Sequence, residues 1–272
     1  MRRTRSGAFK KHRTKLLLLC CALLIVIATG AVFSTDLRWW QERALLALHP
    51  SGEKAFAYAE RHFNAQRTAD YSIERAQFFF AKAALFDPTI PYLYHELARI
   101  AFLRGDFKNA LALINLQISL HGNETPNSYY IRGLIEGYMG SYEASAQDYE
   151  YFLRTNPMNW AAMNDYAWAL LKVGRYQDAA IVTNEGLELY PENAWLLNSN
   201  AIALYEMNAY SAAYSSIQKA SAALDSITEA QWLHAYPGND PKMAGEGVVA
   251  LKTSISDNMH MIVLALGTST VQ

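Results

Sequence analysis

The chain has 272 residues, a formal net charge of −1, 51% hydrophobic and 18% charged side chains, and two cysteines. That length holds one or two domains with ample chain for a core, and the composition excludes a disordered, a collagen-like or a disulfide-stapled fold. The near-zero charge conceals two opposed parts. Arg2, Arg3, Arg5, Lys10, Lys11, Arg13 and Lys15 crowd the first 15 residues with no acid, leaving 17 of the 24 basic side chains against all 25 acidic ones in the rest. An acidic body argues against nucleic acid as a partner.

Residues 1–15 read as a basic cytoplasmic tail. Residues 16–33, LLLLCCALLIVIATGAVF, carry no charge; as a helix rising about 1.5 Å per residue they reach roughly the hydrocarbon thickness of a bilayer. The expectation is a transmembrane helix over 16–33. It would make a single-pass membrane protein that touches the lipid bilayer there, with a cytoplasmic N-terminus and an extracytoplasmic body. The alternative is a signal peptide with its apolar region at Leu16–Ile27, cleaved near Gly30 after which the body is exported. Cys20 and Cys21 both lie in this segment, so the body has neither a disulfide nor a thiolate metal site to draw on. Residues 34–56 read as a juxtamembrane helix and linker, broken at His49-Pro50-Ser51-Gly52.

A fixed stride governs the body. Pro157 and Pro191, Gly140 and Gly174, and Tyr142, Tyr176 and Tyr210 recur at 34 residues. Gly105-Asp106-Phe107 repeats Gly140-Ser141-Tyr142 at a spacing of 35, the extra residue falling in the loop 121–125. With the turn glycine taken as position 15, units begin at Ala57, Pro91, Pro126, Trp160 and Ala194. Position 8 holds Ala98, Gly133, Ala167 and Ala201, and position 20 holds Ala76, Ala110, Ser145, Ala179 and Ala213. Position 17 is Phe107, Tyr142, Tyr176 and Tyr210, and position 32 is proline at Pro88, Pro157 and Pro191. Paired helices approach closely only where side chains are small. The turn needs a residue tolerant of the left-handed region, which Asn208 supplies in the last unit. Proline disfavours helix in the residue before it.

This pattern resembles the tetratricopeptide repeat (TPR), a 34-residue helix–turn–helix unit. The resemblance covers residues 57–227 as about five repeats: 57–90, 91–124, 126–159, 160–193 and 194–227. It implies an all-α fold, a TPR-type right-handed superhelical solenoid, to which the N-terminal transmembrane helix is added. The first unit lacks the turn glycine, and an irregular first helix near 54–67 is expected. Residues 228–272 do not repeat. They read as a C-terminal capping helix and tail, with Asp240-Pro241 at a helix start and Val248, Leu251, Ile255, Met259 and Ile262 on one face.

The chain offers no catalytic constellation. His95-Glu96-Leu97-Ala98-Arg99 opens like a zinc-protease helix but ends in Arg99 where the second histidine belongs. Gly245-Glu246-Gly247-Val248-Val249-Ala250 fits a dinucleotide glycine pattern with no strand before it. No metal site and no cofactor are expected, and the protein reads as a binding module rather than an enzyme.

In TPR arrays the first helix of each unit lines the concave face, with positions 2, 5, 9 and 12 turned inward. Carried onto this sequence, the resemblance implies a partner-binding groove of Tyr92 and Trp195 (position 2), His95, Tyr130, Asn164 and Asn198 (position 5), Arg99, Leu134 and Trp168 (position 9), and Phe102 and Tyr205 (position 12). Aromatic faces with amides suit a protein or peptide ligand. The expected function is a membrane-anchored extracytoplasmic scaffold or adaptor mediating protein–protein interaction at a bacterial cell envelope. The alternative is an accessory or regulatory subunit of an envelope enzyme complex acting on peptidoglycan or polysaccharide.

Overall fold

A computed structural model describes residues 36–122, 124–235 and 240–269. The described residues are all-α. Helix α1 covers residues 36–48. Five antiparallel pairs follow: α2 (Gly52–Phe63) with α3 (Ile73–Phe86), α4 (Leu93–Leu103) with α5 (Phe107–His121), α6 (Asn127–Tyr138) with α7 (Tyr142–Thr155), α8 (Trp160–Lys172) with α9 (Tyr176–Leu189), and α10 (Ala194–Glu206) with α11 (Tyr210–Ala222). The short α12 (Glu229–Ala235) and the long α13 (Ala244–Ser269) close the chain. Each pair also packs on the next, and the first helices α4, α6, α8 and α10 touch in sequence, so the pairs stack as a solenoid.

The repeat residues do the work their spacing predicts. Every residue at positions 8 and 20 is buried, seven of the alanines among them completely. Beside them Phe80, Ile114, Tyr149, Thr183 and Ile217 fill the gap between the helices of a pair. The pair turns place Gly105, Gly140 and Gly174 at φ of 72°, 82° and 77°, and Asn208 at 61°. A methyl group at any of these three glycines would meet open space, so glycine stands there for its backbone freedom alone. Helices α3, α7 and α9 stop just before Pro88, Pro157 and Pro191. The residues preceding those prolines have left the helical region. Asn159 and Asn193 then cap α8 and α10 by accepting from the Ala162 and Leu196 amides.

The N-terminal end departs from the sequence reading. The first unit has a regular first helix, α2, which begins at Gly52 and is capped by Ser51; it is the connection 64–72 that is long. That connection is fixed by His62, whose Nδ1 pairs with the Asp70 carbonyl and whose Nε2 pairs with Glu42 on α1 at 2.9 Å. Helix α1 is therefore part of the core rather than a linker. Trp39 meets Phe78 and Phe79 edge-on, and Leu46 is buried among the α2–α3 residues. At the other end α13 lies along α11, with Ile255 and Ile262 fully buried beside Val248, Leu251 and Met259.

The membrane placement is corrected. The expected span 16–33, the tail 1–15 and the cleavage site near Gly30 lie outside the described residues. Among the described residues no helix is long and apolar enough to cross a membrane, so the single-pass assignment and its lipid contact are not supported. The longest helix, α13, has the length, but it carries Glu246, Lys252, Asp257 and His260 and lays one face on α11, the pattern of a surface helix.

Replacing Gly174 by alanine forces a side chain into the left-handed region and is expected to cost about 1–2 kcal/mol, whereas Gly174→Asn costs a fraction of that because asparagine tolerates the conformation. Urea midpoints of the two variants check this; equal losses would show that space rather than dihedral angle selects glycine.

Candidate functional site

Consecutive first helices present residues three and four apart on one face, and the curvature of the stack turns that face inward. Two clefts result. The first, about 930 Å³, lies between α4, α6, α8 and the connection 64–66. The second, about 680 Å³, lies between α4, α6, α8 and α10. Tyr130 on α6 borders both.

Tyr92, His95, Arg99 and Tyr130 line the first cleft. Tyr92 precedes α4 with φ of 64°, an uncommon conformation for a tyrosine, and its ring meets His95 edge-on. His95 is buried, with Nδ1 3.1 Å from the Ser128 hydroxyl. Burial first, and the nearby Arg99 second, push its imidazole down to about 3, so it stays neutral at ordinary pH. The Arg99 guanidinium donates to Glu96 at 2.5 Å and covers the Phe63 ring at 4.7 Å. Burial raises the Glu96 carboxyl, and Arg99 partly opposes it.

Phe102, Tyr130, Leu134, Asn164, Trp168, Trp195 and Asn198 line the second cleft. Trp168 is 37% exposed, stands edge-on to Tyr142 and packs over Gly137. Trp195 is nearly buried against Trp160, and its indole Nε1 has no hydrogen-bond partner among the described residues. Asn164 accepts from the Ser199 hydroxyl at 2.8 Å, and Asn198 accepts from Asn258 on α13 at 2.9 Å. Tyr205 alone of the expected groove residues borders neither cleft. It leans on Tyr210 and on the core under α13. The helix that covers the open end of the array draws that aromatic into packing.

The sequence reading missed two features. Position 6 faces the same clefts: Glu96 and Ile131 enter the first, and Ile131, Asp165 and Ser199 the second. Lying four residues after position 2 and three before position 9, it completes their stripe, and its two carboxylates were the available signal. The other feature is the return of the C-terminal segment onto the concave side. On α12, Ala230 and Leu233 border the first cleft and Trp232 the second, where α13 adds Gly247, Ala250, Leu251 and Ser254. A Cβ on Gly247 would overlap the Trp232 ring, so only glycine admits this contact. Asp240 and Lys242 come within electrostatic reach of Tyr71 and Glu74 near the first pair. The described parts of the segment thus reach from the last pair toward the first.

Asp165 is the most perturbed acid of the second cleft. Its Oδ2 accepts from the Tyr130 hydroxyl at 2.7 Å, and Asn164 donates weakly to Oδ1. Burial outweighs these bonds and raises the carboxyl to about 6. The folded chain then holds its proton up to a higher pH than the unfolded chain, so this group's contribution to stability falls as pH rises between the unfolded value and about 6. Asp165→Asn keeps an acceptor for Tyr130 and is expected to be more stable than the native chain by about 2–3 kcal/mol above neutrality and level with it near pH 4. Thermal midpoints of both chains across that range test this; a difference independent of pH would refute it.

Residues 132–194 match the family model described as tetratricopeptide repeat. No curated protein matches the chain in sequence. Among solved structures it is similar to YrrB, described as a TPR protein with an unusual peptide-binding site, at 14% identity over 75% of this chain and 96% of that one, with a TM-score of 0.56. It is also similar to MamA AMB-1, at 17% identity over 71% and 95% with a TM-score of 0.53. MamA from Desulfovibrio magneticus RS-1 matches at 22% identity over 60% and 96%, with a TM-score of 0.46. At these identities the likeness is one of fold, and the fold is an all-α solenoid of the tetratricopeptide type.

Proposed function

We propose that this chain is a non-catalytic scaffold that binds a protein segment on its concave side. The observation that carries this reading is the convergence of ten of the eleven residues of the expected groove on two adjoining clefts. Aromatic faces there supply contact area at low entropic cost, and Asn164, Asn198 and Ser199 supply hydrogen bonds suited to a peptide backbone. The peptide-binding site ascribed to YrrB, which shares the fold, supports the same reading. A ligand held here leaves the outer helices α5 and α9 free for a second contact, as an adaptor requires.

Selection of a random twelve-residue peptide library on the purified full chain tests the proposal. Trp168 is exposed enough for Trp168→Ala to leave the fold intact. Selected peptides are expected to lose about tenfold or more in affinity on that variant, the scale of an aromatic anchor. Peptides that bind Trp168→Ala as tightly as the native chain, or a selection that returns none, would overturn it.

A further inference from the structure

We propose that the second cleft receives a cationic side chain, lysine or arginine, from the bound segment; this rests on the concave side being the binding site. Asp165 is the one acid lining that cleft, and no lysine, arginine or histidine pairs with it among the described residues. Its hydrogen bonds come from neutral groups, the Tyr130 hydroxyl and the Asn164 amide. The comparable acid of the first cleft, Glu96, is neutralised by Arg99. One cleft thus carries its own counter-charge and the other does not.

The walls fit the same ligand. Tyr138 and Tyr149 lie close enough to Asp165 for its charge to push their phenols upward, after burial. Trp168 and Tyr142 meet edge-on at the cleft wall, and Trp168 keeps a solvent-accessible ring. A carboxylate among aromatic faces attracts a cation through direct charge and through ring quadrupoles together. Lys172 already stands 5.7 Å from the Trp168 ring, yet forms no ion pair with Asp165. A buried carboxylate without a cation is costly, and an incoming ammonium or guanidinium would relieve that cost. The site is therefore selective by charge. A neutral side chain of similar shape leaves Asp165 as it is, and an acidic one adds repulsion.

The test uses peptides selected on the full chain, resynthesised with each arginine replaced by citrulline, its neutral near-isostere, and each lysine by acetyl-lysine. One cationic position is expected whose neutralisation weakens binding about tenfold on the native chain and less than twofold on Asp165→Asn. Thermal unfolding confirms that Asp165→Asn is folded. Peptides that lose affinity on Trp168→Ala but lack such a position, or whose cation matters equally on Asp165→Asn, overturn this inference while leaving the binding groove standing. Peptides insensitive to Trp168→Ala overturn the groove reading and this inference with it.

Discussion

The architecture depends on close approach of paired helices at a small side chain. Ala98 against Ala110, Gly133 against Ser145, Ala167 against Ala179 and Ala201 against Ala213 mark the same two positions in four successive pairs, and all are buried. At Gly133 an added methyl would crowd the Ser145 carbonyl and the Tyr149 ring. Because the helices of a pair sit this close, the larger residues at their flanks are left to bury against the next pair. Stacking, and with it the concave side, follows from that local constraint.

Where a unit departs from small or apolar residues, most of the inserted polar atoms find partners; among the described residues the Gln117 side-chain nitrogen is an exception. Gln117 sits fully buried where three of the other units have alanine or glycine, and its amide oxygen accepts from the Tyr94 and His95 backbone amides at the start of α4. Arg132 forms a two-pronged contact with Asp148 between α6 and α7. Asn200 donates to Thr183 and Asn184 and accepts from Ser216, tying three helices together. Such groups add little net stability, but an unpaired alternative would be costly, so the Gln117 and Arg132–Asp148 contacts fix the two helices of a pair and Asn200 fixes how one pair sits on the next.

The repeat was legible because it is a matter of local chemistry: a turn dihedral, a small contact and a proline stop each leave a residue signature at a fixed position. The stripe of residues that lines the clefts was legible for the same reason at positions 2, 5 and 9. What could not be read depended on chain segments that obey no repeat. Tyr205 has the right position and the wrong neighbours, because α13 covers its end of the stack. The nine-residue connection 64–72 stands where an irregular first helix near 54–67 was expected, since its closure relies on His62 reaching both Asp70 and Glu42. Trp232 looks like an isolated aromatic until Gly247, fifteen residues on, is seen to lie under it.

The return of α12 onto the inner side reshapes what that side can accommodate. Leu233 looks into one cleft and its neighbour Trp232 into the other, so the hollow is partitioned into two bays rather than left as a trough. A long rigid rod would collide with this crossbar, while a short, bent strand could dip into both bays beneath it. If the inner side binds a chain segment as proposed, length and pliancy of that guest would become selection criteria that the repeats alone would never impose.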